Sequence, residues 1–149
     1  VFFLGGLLLR RPLWLLPFLA LAFGIDALVF ARTDMLHLCL SPAYGFLVPA
    51  YGLLWFAGRS LDVRLRFDAA GLTLAAGVGF SAVLASFAIS NGSFYVLSGL
   101  FGELSLAGFL EQFARYAPGF VLTASAWMLG GLALLALRAR LRAEQPLAS

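Results

Sequence analysis

Pro12 to Ala31 reads PLWLLPFLALAFGIDALVFA, a run of 20 residues carrying one charge, Asp26. At a rise of about 1.5 Å per residue, a helix of this length reaches roughly 30 Å, the thickness of a bilayer's hydrocarbon core. Length and near absence of charge decide the class, because this segment has the form of a membrane span. The rest of the chain agrees. Of 149 residues, 62% are hydrophobic and 11% charged, with a mean hydropathy of +0.98, whereas charged residues approach a quarter of an ordinary soluble domain. The expected fold is all-α, a polytopic transmembrane helix bundle forming a single integral membrane domain over residues 1–149.

Working outward from this run, Pro42–Ala57, Ala69–Ser90 and Tyr116–Leu137 are further apolar runs bounded by charge or turn residues, so four complete spans are expected. The opening run, Val1 to Leu9, is too short to span and ends at Arg10-Arg11. No basic segment precedes it, so it is expected to be the remainder of a span whose upstream part is cut away, rather than a signal peptide. All ten basic residues are arginine. On this topology Arg10, Arg11, Arg59, Arg64, Arg66, Arg138, Arg140 and Arg142 share one side, against Arg32 and Arg115 on the other. The positive-inside rule then makes loop 59–66 and the C-terminus cytoplasmic, and faces loops 32–41 and 91–115 outward. The basic balance therefore reports topology and not nucleic acid. With no lysine, the chain contains no Walker A phosphate loop, so ATP hydrolysis would have to come from another chain.

Three further patterns stand out. Pro42-Ala43-Tyr44-Gly45 repeats as Pro49-Ala50-Tyr51-Gly52, seven residues on, which puts Tyr44 and Tyr51 on nearly one helix face. Pro49 removes the donor that would pair with the Gly45 carbonyl, so a kink is expected. Gly71, Ala75, Gly79, Ala82, Ser86 and Ser90 form a ladder of small residues that lets helix backbones approach closely. After it, Asn91 to Gly99 mixes turn residues with aromatics and reads as an outer loop. Leu106, Phe109, Leu110 and Phe113 then mark a short amphipathic helix in the outer interface, with Glu103, Glu111, Gln112 and Arg115 around it.

Few residues carry chemistry. Cys39 is the only cysteine and His37 the only histidine, which excludes an internal disulfide, a four-ligand zinc site and a bis-histidine haem. Cys39 stands where a polar loop enters an apolar run, either as a soft ligand at a span mouth or as a small buried hydrophobe. Asp26 is the one acid well inside a long apolar run. It either serves a functional site or fixes the outer loop through polar contacts, and the two roles are compatible.

The segment Cys39-Leu40-Ser41-Pro42-Ala43-Tyr44-Gly45-Phe46-Leu47-Val48-Pro49-Ala50-Tyr51-Gly52-Leu53-Leu54-Trp55-Phe56-Ala57-Gly58-Arg59 resembles the cysteine-containing segment of BtuM, the solitary cobalamin-transport S-components of the energy-coupling-factor (ECF) class. Phe2-Phe3-Leu4, Gly24-Ile25-Asp26, Ser90-Asn91-Gly92-Ser93-Phe94-Tyr95 and Ser98-Gly99 are similar to other stretches of that family, in the same order. The resemblance implies a six-helix S-component fold, here without its first helix, in a bacterial inner membrane. It implies cobalamin (vitamin B12) as transported ligand, bound at the outward face with Cys39 on the cobalt and linked to removal of cyanide from cyanocobalamin. It further implies Asp26 and Tyr44 in the ligand site, with His37, Asn91, Phe94 and Tyr95 as additional candidates, Phe94 and Tyr95 against the corrin face. No cofactor other than this cargo is implied. Beyond the lipid bilayer, the implied partner is an ECF coupling module, or none. Leu100 stands where the family is expected to have Arg, a departure that removes or replaces one polar contact.

Other classes remain in view. A disulfide-relay oxidoreductase is excluded by the single Cys. An intramembrane serine hydrolase would have to use His37 with Ser41, Ser93 or another Ser, and the chain has no Gly-x-Ser-x-Gly elbow. A structural membrane subunit, or an S-component for another small vitamin-like substrate, is the alternative.

Overall fold

The computed structural model describes residues 1–9, 11–32, 41–61 and 67–144. Of these, 88% are helical, and no strand occurs among them. The elements are α1 (Phe2–Leu8), a 3-10 turn (Pro12–Trp14) leading into α2 (Leu15–Arg32), a second 3-10 turn (Pro42–Phe46) leading into α3 (Leu47–Arg59), α4 (Ala69–Leu97) and α5 (Leu106–Glu144). Asp68 caps α4, its carboxylate accepting from Gly71 N–H at 2.8 Å. Gly99, at φ +71, supplies the left-handed residue that stops the same helix.

Among the described residues, three helices are long and apolar enough to cross a membrane: Pro12–Arg32, Ala69–Leu97 and Leu106–Arg142. The chain is accordingly compatible with a multi-pass membrane protein, and large apolar side chains such as Leu21 and Leu28 of α2 and Leu122 and Trp127 of α5 cover its outside. The expected fourth span, residues 42–57, does not reach that standard. Two prolines, two tyrosines and three glycines dilute its apolarity over residues 42–59, and its first five residues wind as 3-10 helix. Pro49 falls in the first turn of α3, where the missing donor costs no intrahelical bond.

Two boundaries differ from expectation. Asn91 to Leu97 is the last part of the 29-residue α4 and not an outer loop. The amphipathic stretch 106–115 is the first part of the 39-residue α5, continuous through Pro118 with the apolar run behind it. Ring contacts explain both. Phe87 of α4 packs between Phe113 and Phe120 of α5, each at 5.0 Å between centroids, and Tyr95 lies 5.7 Å from Phe109. These pairs hold the two helices side by side beyond the point where composition turns polar.

The order of layers follows from the contacts. α3 packs on α1 and α4, α4 on α3 and α5, and α2 is only lightly attached, burying Leu19 alone. The small-residue ladder faces inward as expected, with Ala75, Gly79, Ala82 and Ser86 buried. α1 and α3 meet backbone to backbone: a Cβ on Gly6 would overlap the Trp55 carbonyl, and one on Gly58 would overlap the Phe3 carbonyl. Phe3, Leu7, Leu61, Ala75, Met128 and Leu132 form one core cluster. It lies at the end where α3 finishes and α4 begins. Arg11, Arg59 and Arg138 to Arg142 belong to that end of the bundle. Arg32, Arg115, Tyr44, Asp26 and Tyr95 belong to the other.

Candidate functional site

At this second end, two groups of side chains come together. The first joins α2 to the turn before α3. The apolar period of α2 places Phe23, Asp26 and Phe30 on one face, and Tyr44 lies across that face, its ring 5.3 Å from Phe23 and 6.0 Å from Phe30. Tyr44 Oη donates to Asp26 Oδ2 at 2.8 Å. Asp26 therefore has a partner, and the pair ties α2, which is otherwise loosely held, to the turn that leads into α3. Tyr51 stacks instead on Phe2 of α1 at 4.3 Å. The two tyrosines of the repeat meet different neighbours because they sit at different heights.

The second group surrounds a cleft of about 1170 Å³ between the end of α4, the connection 98–105 and the start of α5. Asn91, Phe94 and Tyr95 line it, opposite Glu111, Gln112 and Arg115. Tyr95 Oη accepts from Ser105 N–H and donates to the Ser105 carbonyl, both at 3.1 Å, which ties the connection to α4. Tyr95 is 6% exposed, so its hydroxyl serves the wall, and Phe94 is the freer of the two aromatics. Leu100 lines the same cleft and is largely exposed. Across the cleft Arg115 pairs with Glu111 at 3.3 Å on an exposed helix turn.

Asn91 Oδ1 and Gln112 Oε1 are shut off from solvent and hydrogen-bond to no group among the described residues. Gln112, Arg115 and Phe87 were not singled out as site residues by the sequence. The signal for Gln112 and Arg115 was the spacing of Gly108, Glu111, Gln112, Arg115 and Gly119, which share one face of a helix. Cys39 and His37 lie outside the described residues, as do most of the expected outer loop 32–41 and the loop arginines Arg10, Arg64 and Arg66. Neither Asp26 nor Tyr44 lines the cleft. The two groups flank the 3-10 turn 42–46, which itself packs on α4. No protein-family model matches the chain, and no curated protein matches it.

Proposed function

We propose that the chain is a BtuM-like S-component that takes up cobalamin at its outward face and carries it to the cytoplasm. The observation that carries the reading is the Tyr44–Asp26 hydrogen bond, formed at the end of the bundle that also holds the cleft. The resemblance assigns both residues to the ligand site, and they meet although 18 positions apart. The cleft's volume exceeds the roughly 300–1,000 Å³ typical of sites for drug-sized ligands, which favours a large cargo. Five steps along the chain, at most roughly 18 Å when extended, separate Cys39 from Tyr44.

In this reading Cys39 loses its proton and donates a sulfur lone pair to the cobalt of the cargo. With cyanocobalamin, cyanide leaves with its own electron pair and takes up the released proton as hydrogen cyanide, so the exchange is a ligand substitution without net redox change. Asp26 and Tyr44 orient the ligand beside the thiolate. The arginine-rich end faces the cytoplasm of a bacterial inner membrane by the positive-inside rule, which puts the cleft outside and the C-terminus inside. Energy is supplied by an ECF coupling module or by none.

The test is growth rescue, under limiting cobalamin, of cells lacking their own cobalamin importer, together with the absorbance of the purified protein. A cobalamin spectrum and rescue are expected. A colourless protein that fails to rescue would overturn the reading in favour of a structural membrane subunit.

A further inference from the structure

We propose that the arginine-rich end of the bundle carries a seat for the headgroup of an anionic glycerophospholipid, formed by Arg138 and Arg142 of α5 beside the end of α1. The inference rests on the membrane placement of the chain and is independent of the cargo read from the opposite end.

Gly131, Leu135, Arg138 and Arg142 follow one another at spacings of four, three and four residues, which places them on one stripe of α5. The first half of that stripe is packed. Gly131 lies against Leu4 of α1, and Leu135 packs on the core cluster that holds Phe3 and Leu7. α1 then stops at Leu8, one turn beyond Leu4, whereas α5 runs on to Glu144. The second half of the stripe therefore stands clear of α1: Arg138 and Arg142 are exposed, and so is Leu8 at the end of the shorter helix. The result is a step with an apolar floor and two guanidinium groups on its upright.

Charge commits this step to one class of occupant. In sequence, this end collects eight of the ten arginines against Asp62, Asp68 and Glu144. Among the described residues, Arg138, Arg140 and Arg142 make no ion pair. Asp68 is engaged in capping α4, and Arg59 reaches from α3 to the Leu9 carbonyl at 3.5 Å. Arg138 and Arg142 are neighbours one turn apart, and like charges at that spacing repel. A phosphate diester between them replaces repulsion by charge-assisted hydrogen bonds, for which the planar guanidinium forks are suited.

Height favours a lipid over a free anion. Arg138 follows Leu137, the last residue of the apolar run, and so stands at the level of the headgroups, where basic recesses between helices hold anionic lipids. The exposed Leu8 adds apolar surface that an acyl chain covers and inorganic phosphate does not. Arg140 is an internal control. It lies two residues from each member of the pair, hence on another side of the helix. A diffuse attraction to a negative surface counts all three arginines alike, whereas a seat depends on two of them.

The experiment follows thermal unfolding of the purified, cargo-free chain in dodecylmaltoside micelles with added dioleoylphosphatidylglycerol, dioleoylphosphatidylcholine or inorganic phosphate. Phosphatidylglycerol at tenfold its dissociation constant is expected to raise the Tm of the parent by about 3–6 °C, because only the folded chain holds the seat. Phosphatidylcholine and phosphate are expected to leave it unchanged. Arg138→Gln combined with Arg142→Gln should lose the rise, with phosphatidylglycerol bound about tenfold or more weakly, while Arg140→Gln keeps it.

No rise with phosphatidylglycerol, or an equal rise with phosphatidylcholine, would overturn the headgroup reading. A rise with inorganic phosphate at the same concentration would overturn the lipid in favour of a free anion. Equal losses in the double variant and in Arg140→Gln would reduce the effect to diffuse charge and overturn the seat. Because removing two arginines can disturb insertion, the single variants Arg142→Gln and Arg140→Gln carry the same contrast. A weakened response in the first alone supports the seat, and matching responses overturn it.

Discussion

The bond between Tyr44 and Asp26 is where sequence reasoning and geometry meet most closely. Asp26 was conspicuous as one acid in an apolar run, but its partner was not. Eighteen positions separate the two, and Tyr44 meets the Phe23–Asp26–Phe30 face only in the fold. Tyr44→Phe removes the donor and leaves the carboxylate unpaired in a half-buried place, so a loss of about 1–3 kcal/mol in stability is expected. Asp26→Asn keeps an acceptor oxygen at the same position, loses only the charge assistance and is expected to cost less. Thermal unfolding of ligand-free protein checks the order, and equal melting of parent and both variants would reject a structural role for the pair. Cobalamin titration of the same proteins separates positioning of ligand from fixing of the turn: weaker binding by Asp26→Asn at parental stability assigns the carboxylate to the ligand. At Cys39 the expected result is spectroscopic. Cys39→Ser replaces a soft, ionisable ligand by a hard hydroxyl and should abolish the thiolate signature of bound cobalamin and any cyanide release. A spectrum identical to the parent's would reject ligation.

At the scale of helices, what the sequence made legible was the pattern that packing reinforces. The ladder from Ala75 to Ser86 faces inward because small side chains are the ones that two neighbouring helices tolerate at close range. What composition hid was continuity. Asn91-Gly92-Ser93 has the residues of a turn, yet Phe87, Phe94 and Tyr95 on either side are held by rings of α5 and of the connection, and the helix runs through. Likewise Pro118 ends a helix by local rules, but inside α5 it costs one hydrogen bond, to the Ala114 carbonyl, and the helix continues. The reciprocal contact of Gly6 and Gly58 was also invisible, since each glycine is recognised only by the backbone opposite. Gly58→Val forces α1 and α3 apart and is expected to destabilise by about 1–3 kcal/mol or more. Gly77→Ala, at a helix position where an added Cβ meets nothing within 4 Å, is expected to stabilise by about 0.5–1 kcal/mol. Melting of the two variants beside the parent tests the contrast, and equal effects would remove the backbone contact as the cause.

For the molecule as a whole, the class and the arginine asymmetry were legible because both depend on composition and order alone. The number of helices apolar enough to span was not, because residues 42–59 are apolar on average but carry prolines and tyrosines that dilute that apolarity, and their first five wind as 3-10 helix. Single cysteines at the exposed Ser60 and Ser105, introduced in a Cys39→Ser background, test the orientation. On intact spheroplasts an impermeant thiol reagent is expected to label Ser105→Cys and spare Ser60→Cys, and the reverse pattern would invert the topology. The length of α5 adds a consequence of its own. Its 39 residues reach roughly 58 Å, about twice the hydrocarbon thickness. With the apolar part from Tyr116 to Leu137 filling the oily layer, the first ten residues stand roughly 15 Å proud of it. The cleft wall from Gly108 to Arg115 is thus a mast raised among the lipid headgroups, and the cleft opens in that layer rather than in hydrocarbon.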